Sequence, residues 1–381
     1  MTNQLERDCV TQTQANIIYE TRFFWRQIVY WSRAFFNSTF KGIGNADETF
    51  TKLYAMPLPY AQMLQLILGR SFRDKFVSLV TGYIVIIKEL AEAALTGQAE
   101  LVNQKVYELG RYIEERAEFL AETFPTLDRE VLVEILTAFH NYEIEEMNAY
   151  ITRDYTRFVE IYDNLIIEAE RLADYFSKGI IDLITAAPAP GVEIRQDPDT
   201  CITYDQLDII LDIAMTWIDL VTWFRVYRVS LMAGVGDTEV LFNRLLQVPV
   251  EFGNKIRAFV DDETVDRQVL LMQEYLIIIN RLLSARMAND IEEMNLAFQL
   301  ALENINVRAK LLSSVFPALD ETAWGGQLFK MHSTLMDMGG AFLAGDFAEN
   351  IMFFNGLIVQ AEELGSYFVE SLFDFVISPA S

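Results

Sequence analysis

The sequence predicts an all-α protein made of two tandem homologous helical bundles. Apolar residues recur at the spacing of a helix nearly everywhere, and no stretch alternates with a period of two for long enough to make a sheet. The chain also matches itself at an offset of 192 residues. We therefore expect five or six helices in each bundle, four of them long and packed up and down, and a pseudo-two-fold relation between the bundles.

The self-match brings the rarest residue types together. Both histidines coincide, His140 with His332, and so do both cysteines, Cys9 with Cys201. Four of the five tryptophans coincide as well, and "FPTLD" at 124 falls on "FPALD" at 316. Because chance would hardly align so many rare residues, the sequence predicts an internal duplication.

The domain boundaries follow from where this match begins and ends. The segment "APAPGVEIRQDPDT" at 187–200 has the proline, glycine and polar content of a linker. We expect the first bundle at 1–186 and the second at 201–381.

The first long helix of each bundle is predicted from its two ends. Thr11 and Thr203 each stand three residues before a glutamine, which is the spacing of a capping box that starts a helix. Glycines follow soon after Phe40 and Ala233, and glycine readily takes the left-handed conformation that ends a helix. The expected terminating glycines are Gly42 and Gly234.

The remaining helices follow in order. Pro57 and Pro249 fit the first turn of a short second helix, where the missing amide of proline costs no hydrogen bond. Four long helical stretches come next in each bundle. In the first bundle they cover about 71–95, 98–122, 127–150 and 153–184.

Composition limits the partners and the location. The 30 basic and 55 acidic residues give a formal net charge of -25, so the protein repels phosphate backbones and no nucleic-acid partner is expected. The most apolar long run, at 207–234, contains five charged side chains and predicts a buried helix rather than a membrane span.

The N-terminal residues lack the basic and apolar regions of a signal peptide. This predicts a cytoplasmic protein, in which the two cysteines are reduced and inert.

A small set of polar residues is predicted to lie inside each bundle core. His140 shares one helical face with Leu136 and Met147, and other polar residues follow apolar ones at the same spacings. The full predicted set is Arg33, Tyr83 and His140, with Arg225, Tyr275 and His332 at the matching positions. We interpret this core polar cluster as an internal hydrogen-bond network that fixes the helix register, with a ligand or metal pocket as the alternative. One histidine and one tyrosine per bundle are too few for a well-defined metal site.

The motifs that an enzyme would need are absent from the sequence. It contains no P-loop, no H-E-x-x-H, no E-x-x-H pair, no nucleophile elbow and no EF-hand loop. We therefore expect no catalytic residues, no bound metal and no cofactor, although carboxylate or tyrosine chemistry stays open. The run "EIEEMN" at 143 and the acidic residues of "RYIEERAEFL" at 111 are interpreted as solvated helix faces.

Three segments carry a resemblance to a known group of proteins. The stretches "WRQIVYWSR" at 25, "FTKLYAMP" at 50 and "FLAETFP" at 119 resemble small helical-bundle proteins of Bacillus-like and Clostridium-like bacteria, whose first helix reads W-x-x-H-V-x-W-T-R. The resemblance implies the fold and supplies no activity. It also implies further histidines, which here are replaced by Ile28 and Leu220 on the first helix and by Tyr83 and Tyr275 on the third. The resemblance therefore weakens the case for a metal site.

These observations together favour a structural function. We expect a non-enzymatic helical module that associates with itself or with a protein partner. The alternative is a protein that binds a small ligand or a metal inside each bundle core, beside the core polar cluster.

Overall fold

The structure is a computed structural model that describes residues 10–186, 202–235 and 238–377, with side chains up to residue 372. Of the described residues 89% are helical, and they form no strand apart from a single antiparallel bridge between Val10 and Ile202. The predicted all-α class is confirmed. The predicted linker at 187–200 and both cysteines lie outside the described residues.

The chain separates into two compact units, unit 1 at residues 1–204 and unit 2 at 205–381. The helices of unit 1 are α1 (Gln12–Lys41), α2 (Ala46–Ala55), α3 (Pro57–Leu95), α4 (Ala99–Thr123), α5 (Arg129–Thr152) and α6 (Tyr155–Ala186). Those of unit 2, whose first helix begins one residue before the division, are α7 (Tyr204–Ala233), α8 (Thr238–Leu245), α9 (Val248–Ile256), α10 (Asp262–Ala288), α11 (Ile291–Val315), α12 (Glu321–Leu343) and α13 (Phe347–Ile377). The four long predicted stretches match α3 to α6 within a few residues, apart from the earlier start of α3.

Helix α1 begins and ends where the sequence predicts. The Thr11 hydroxyl accepts from the Gln14 amide and the Gln14 side chain accepts from the Thr11 amide, which completes the capping box. At the other end Gly42 adopts a left-handed conformation with φ of 66°. Gly234 after α7 does the same, with φ of 68°. Glycine avoids the Cβ clash that other residues meet in this conformation.

The sequence analysis missed a break inside α3. Gly69 has φ of 81° and ψ of 176°, so the helix that starts at Pro57 is interrupted there and continues afterwards along the bundle. Unit 2 makes its change of direction with a short loop between α9 and α10 instead, and Asp261 caps α10 by accepting from the Thr264 amide. The proline prediction holds in both units, since Pro57 and Pro249 lie in the first turns of α3 and α9.

Helix α1 is the central helix of unit 1. It runs antiparallel to α6, and two of its arginines pair with acidic residues on that helix, Arg22 with Asp174 and Arg26 with Glu170. Its opposite faces are also buried, as expected for a helix surrounded by others. An aromatic cluster also joins α1, α3, α6 and the C-terminal end of α4. Its members are Phe24, Tyr60, Phe72, Phe76, Phe119, Phe124 and Phe176.

None of the helices within residues 10–186, 202–235 and 238–377 combines the length and hydropathy that a membrane crossing requires.

The close contact of α13 with α7 in unit 2 gives a test of this packing. A Cβ on Gly365 would lie 2.7 Å from the main-chain oxygen of Ala214, which cannot move aside as a side chain can. Gly365→Ala should therefore lower the free energy of unfolding by about 1–3 kcal/mol, as overpacking does. The control is Gly356→Ala on the same helix, where a Cβ meets nothing within 4 Å and should stabilise by about 0.5–1 kcal/mol. Urea unfolding measures both, and equal effects would contradict the packing.

Candidate functional site

In unit 1 a buried carboxylate brings two residues of the core polar cluster together. The Tyr83 hydroxyl on α3 donates to Oε1 of Glu143 over 2.9 Å. Nδ1 of His140 lies 2.6 Å from Oε2 of the same carboxylate. The Tyr83 and His140 ring centroids are 4.6 Å apart. His140 and Glu143 stand one turn apart on α5, so a single helix face supplies both groups.

Arg116 on α4 completes this network. Its Nη1 lies 2.8 Å from Nε2 of His140, and its guanidinium carbon lies 4.9 Å from the Tyr83 ring centroid. Because a guanidinium only donates hydrogen bonds, Nε2 must accept, and a neutral His140 then carries its proton on Nδ1 and donates it to Glu143. The order of donation is therefore Arg116 to His140 to Glu143, with Tyr83 donating from the other side.

Burial controls the protonation of the network. It lowers the pKa of His140 well below its ordinary value, and the Arg116 charge adds to this effect. Burial also raises the pKa of Glu143 to about 8 and lowers the pKa of Arg116 to about 10. The sequence analysis had not selected Arg116 or Glu143.

Arg33 packs against α6. Its guanidinium carbon is 3.8 Å from the Tyr162 ring centroid and 4.3 Å from that of Phe158, both on α6. Its charge also acts on Glu146, whose carboxylate is fully buried. Burial raises the pKa of Glu146 to about 8, with the Arg33 charge opposing the rise. Of the three residues predicted as one cluster, Tyr83 and His140 therefore meet at Glu143, whereas Arg33 packs on α6 beside Glu146.

The prediction of solvated faces is wrong for most of the first charged run and holds for the acidic residues of the second, since Glu114, Glu115 and Glu118 are exposed. Glu143 and Glu146 are both 0% exposed, and Arg116 is 3% exposed. Between the two buried glutamates, Glu145 faces solvent and pairs with Arg157. The available signal was position, because Glu143 falls three residues after His140 on the same apolar face of the helix.

Unit 2 keeps the tyrosine, the histidine and the arginine but not the carboxylate. At the offset of 192 residues, Glu143 corresponds to Leu335 and Arg116 to Arg308. The Tyr275 hydroxyl lies 3.0 Å from Nδ1 of His332, and the Arg308 guanidinium carbon lies 5.5 Å from the Tyr275 ring centroid. Nε2 of His332 has no hydrogen-bond partner among the described residues. Burial lowers the pKa of His332 to about 4.

Arg225 repeats the separation seen for Arg33. Its guanidinium carbon lies 4.8 Å from the ring centroid of Phe354 on α13, and burial lowers its pKa to about 10. Like Arg33 it packs on an aromatic ring of the last helix, apart from the histidine of its unit.

Two further arginines of unit 2 approach the main chain of α12. Nη1 of the buried Arg228 donates to the Leu335 carbonyl over 2.5 Å, and Nη1 of Arg286 donates to the next carbonyl over 3.0 Å. Side chains would collide with these arginines at Gly339 and Gly340, where a Cβ would lie 3.0 Å and 2.7 Å from the nearest guanidinium nitrogen. The two glycines therefore allow the arginines to reach helix carbonyls.

The geometry of unit 1 is that of a closed network. Both ring nitrogens of His140 are engaged, and the side chain is 1% exposed, so a substrate could reach it only after the network opened. Within the part of the chain that the structure describes, no group of three or more His, Cys, Asp or Glu residues is placed to hold a metal ion.

Comparison with family models, curated proteins and solved structures gives no match to this chain. The resemblance to bacterial helical-bundle proteins stays a prediction.

The Glu143 network predicts a specific pattern of coupling. At about pH 9, above the pKa of Glu143, Glu143→Leu leaves the buried Arg116 without its carboxylate and should cost about 3–5 kcal/mol of unfolding free energy, as breaking a buried ion pair does. Combining it with Arg116→Met removes the uncompensated charge, so the double variant should cost clearly less than the sum of the single ones. Urea unfolding of the four proteins gives the coupling energy. Additive costs would show that the two residues do not interact.

Glu146 predicts a dependence of stability on pH. Its pKa is about 8 in the folded protein and near 4.3 when unfolded, so folding binds a proton and stability falls as pH rises between these values. Glu146→Gln removes this loss. The variant should therefore gain more than about 1 kcal/mol over wild type between about pH 5 and about pH 8.

Urea unfolding at the two pH values measures this gain. The matched control is Glu145→Gln, which changes the adjacent, exposed glutamate and should follow the wild-type pH profile. If both variants keep the wild-type profile, Glu146 does not titrate as a buried group.

Proposed function

We propose that this protein is a non-enzymatic helical module that binds protein surfaces, with a second copy of its own chain as the first partner. The observation that carries the proposal is an exposed run of apolar side chains on unit 1, which we name the apolar stripe. It consists of Tyr54, Leu58, Leu66 and Ile67, of which Leu66 is 87% exposed. Exposed apolar patches of this kind mark interaction sites in soluble proteins.

The stripe follows from the local helix geometry. Met56 between α2 and α3 has helical dihedral angles, so Tyr54 and Leu58 lie one turn apart on one side, and Leu66 follows two turns later, rotated by about 80° from Leu58. The break at Gly69 then ends the stripe. At the offset of 192 residues unit 2 has Ala258 in place of Leu66, so the fold does not require a large apolar residue at this position.

A pair of identical stripes is self-complementary, because a two-fold axis places each stripe against the other. Opposing this, the net charge of -25 makes copies of the chain repel one another. Association should therefore strengthen as salt screens the charge, which is opposite to the behaviour of an interface held by ion pairs.

The other parts of the proposal have their own support. The closed His140 network favours a structural role over catalysis in unit 1. It also argues against a ligand in the core of unit 1, because the polar groups there already bind one another. Equal helix bounds at the 192-residue offset, as in α1 and α7 or α4 and α11, favour a tandem duplication. The negative charge argues against nucleic acid as a partner, and a cytoplasmic location remains part of the proposal.

Sedimentation velocity tests the proposal on the full chain. Wild type should shift from monomer to dimer between low and high micromolar concentration, more so at high salt. Leu66→Glu should weaken association by roughly tenfold or more, since it places a charge in the apolar contact. Ala258→Glu adds the same charge at the matching exposed position of unit 2 and should associate as wild type does. A wild-type chain that stays monomeric at both salt levels would overturn self-association.

A further inference from the structure

The two units treat the same polar residues differently. In unit 1 the Glu143 carboxylate accepts from Tyr83 and His140 and supplies the negative charge beside Arg116. In unit 2 the matching tyrosine, histidine and arginine remain, and Leu335 stands where the carboxylate would be. Unit 1 thus shows what this combination of side chains binds, which is a carboxylate.

Arg308 and His332 of unit 2 have buried hydrogen-bond donors that are left without acceptors. Nε and Nη2 of Arg308 have no hydrogen-bond partner among the described residues, and this side chain is only 2% exposed. If the Tyr275 hydroxyl donates to Nδ1 of His332, the neutral imidazole carries its proton on Nε2, which is also without a partner there. A buried guanidinium without a counter-charge is costly, so the arrangement favours an acceptor that is negatively charged.

A surface groove lies on the same two helices as these donors. It runs between α11 and α12 and has a volume of about 510 Å³. Leu302, Ile305, Ala309 and Phe329 supply its apolar lining, Asn306, Glu321 and Thr322 its polar residues, and Gly325 and Gly326 leave it open.

The groove and His332 are about one helical turn apart on α12. His332 lies one turn beyond the groove residue Phe329, and Phe298 lies one turn before Leu302 on α11. The Phe298 and His332 ring centroids are 5.4 Å apart, and Phe298 is 40% exposed. Binding from the groove would require Phe298 to move, and partial exposure leaves its ring room to do so.

We propose that unit 2 reversibly binds a small organic carboxylate, with its head group on Arg308 and His332 and its apolar body in the groove between α11 and α12. The head group takes the role that Glu143 has in unit 1. A single carboxylate matches the one permanent cation of the site, and the apolar lining favours an alkyl or aromatic body over an inorganic anion. The site lies in unit 2 and does not depend on the apolar stripe of unit 1.

The two histidines of the chain give a direct measurement, since each unit contains one. In protein labelled with ¹⁵N on histidine, the ring signals of His332 report on the proposed site and those of His140 serve as an internal reference. Titration with hexanoate near neutral pH should shift the His332 signals to saturation at millimolar concentration and leave those of His140 in place. Acetate should bind roughly tenfold more weakly because it has almost no body to bury. Chloride at the same ionic strength is the blank.

Leu335→Glu tests the role of the head-group position. It gives unit 2 the internal carboxylate of unit 1, so it should fold and lose hexanoate binding by at least roughly tenfold. The matched control is Leu343→Glu, which places the same charge at an exposed position on the same helix and should bind as wild type does.

Two results would overturn the proposal. One is a wild-type titration in which the His332 signals do not saturate or move together with those of His140. The other is a folded Leu335→Glu variant that binds hexanoate as tightly as wild type. If that variant does not fold, the wild-type titration still decides the question, because His140 reports any effect that is not local.

Discussion

The constraint on which unit 1 depends is the burial of arginine inside a helical bundle. Arg33 and Arg116 are both removed from water, and a guanidinium in that environment needs opposite charge or acceptors close by. Helix α5 supplies both glutamates, Glu143 beside Arg116 and Glu146 beside Arg33. Because the two glutamates are three residues apart on one helix, pairing them fixes α5 both in rotation and in height against α1 and α4. The apolar core alone would tolerate small shifts that this pattern forbids.

Unit 2 satisfies its arginines by different means within the same order of helices. Leu335 and Met338 stand where unit 1 has Glu143 and Glu146, so α12 offers no carboxylate at these positions. Main-chain carbonyls of α12 replace part of this function, as the bond from Arg228 to the Leu335 oxygen illustrates. Helix carbonyls already accept one hydrogen bond each, and they carry only partial charge. Within the described part of unit 2, Arg308 is therefore buried without a carboxylate beside it.

The sequence predicted the helices well because their ends depend on local chemistry, as with Thr11 and Gly42. It predicted the site only in part. Charged residues are so seldom buried that Glu143 was assigned to the surface and Arg116 was not considered, although their positions on apolar faces indicated the core. Arg33 was placed with His140 because both face inward. However, Ser32, the residue before Arg33 on α1, interacts with Tyr83 and Glu143, so the network lies at nearly the same height as Arg33 but on another face of the helix. Because α1 is buried on all sides, an inward-facing position does not tell which neighbouring helix the side chain meets.

The differences between the units fall where each proposed activity would need them. Replacing Glu143 by Leu335 frees buried donors, and having Gly325 and Gly326 at positions where unit 1 has valine and glutamate opens a groove beside them. Unit 1 differs in the opposite way. It has Leu66 where unit 2 has Ala258, which extends its apolar stripe, and Glu143 already fills the acceptor position of its polar core. If the units arose by duplication, each copy was free to lose what the other retained. Both units keep buried arginines at matching positions, each beside an aromatic ring. The substitutions on which the two proposals rest, Glu143 to Leu335 and Leu66 to Ala258, leave these arginines and rings unchanged.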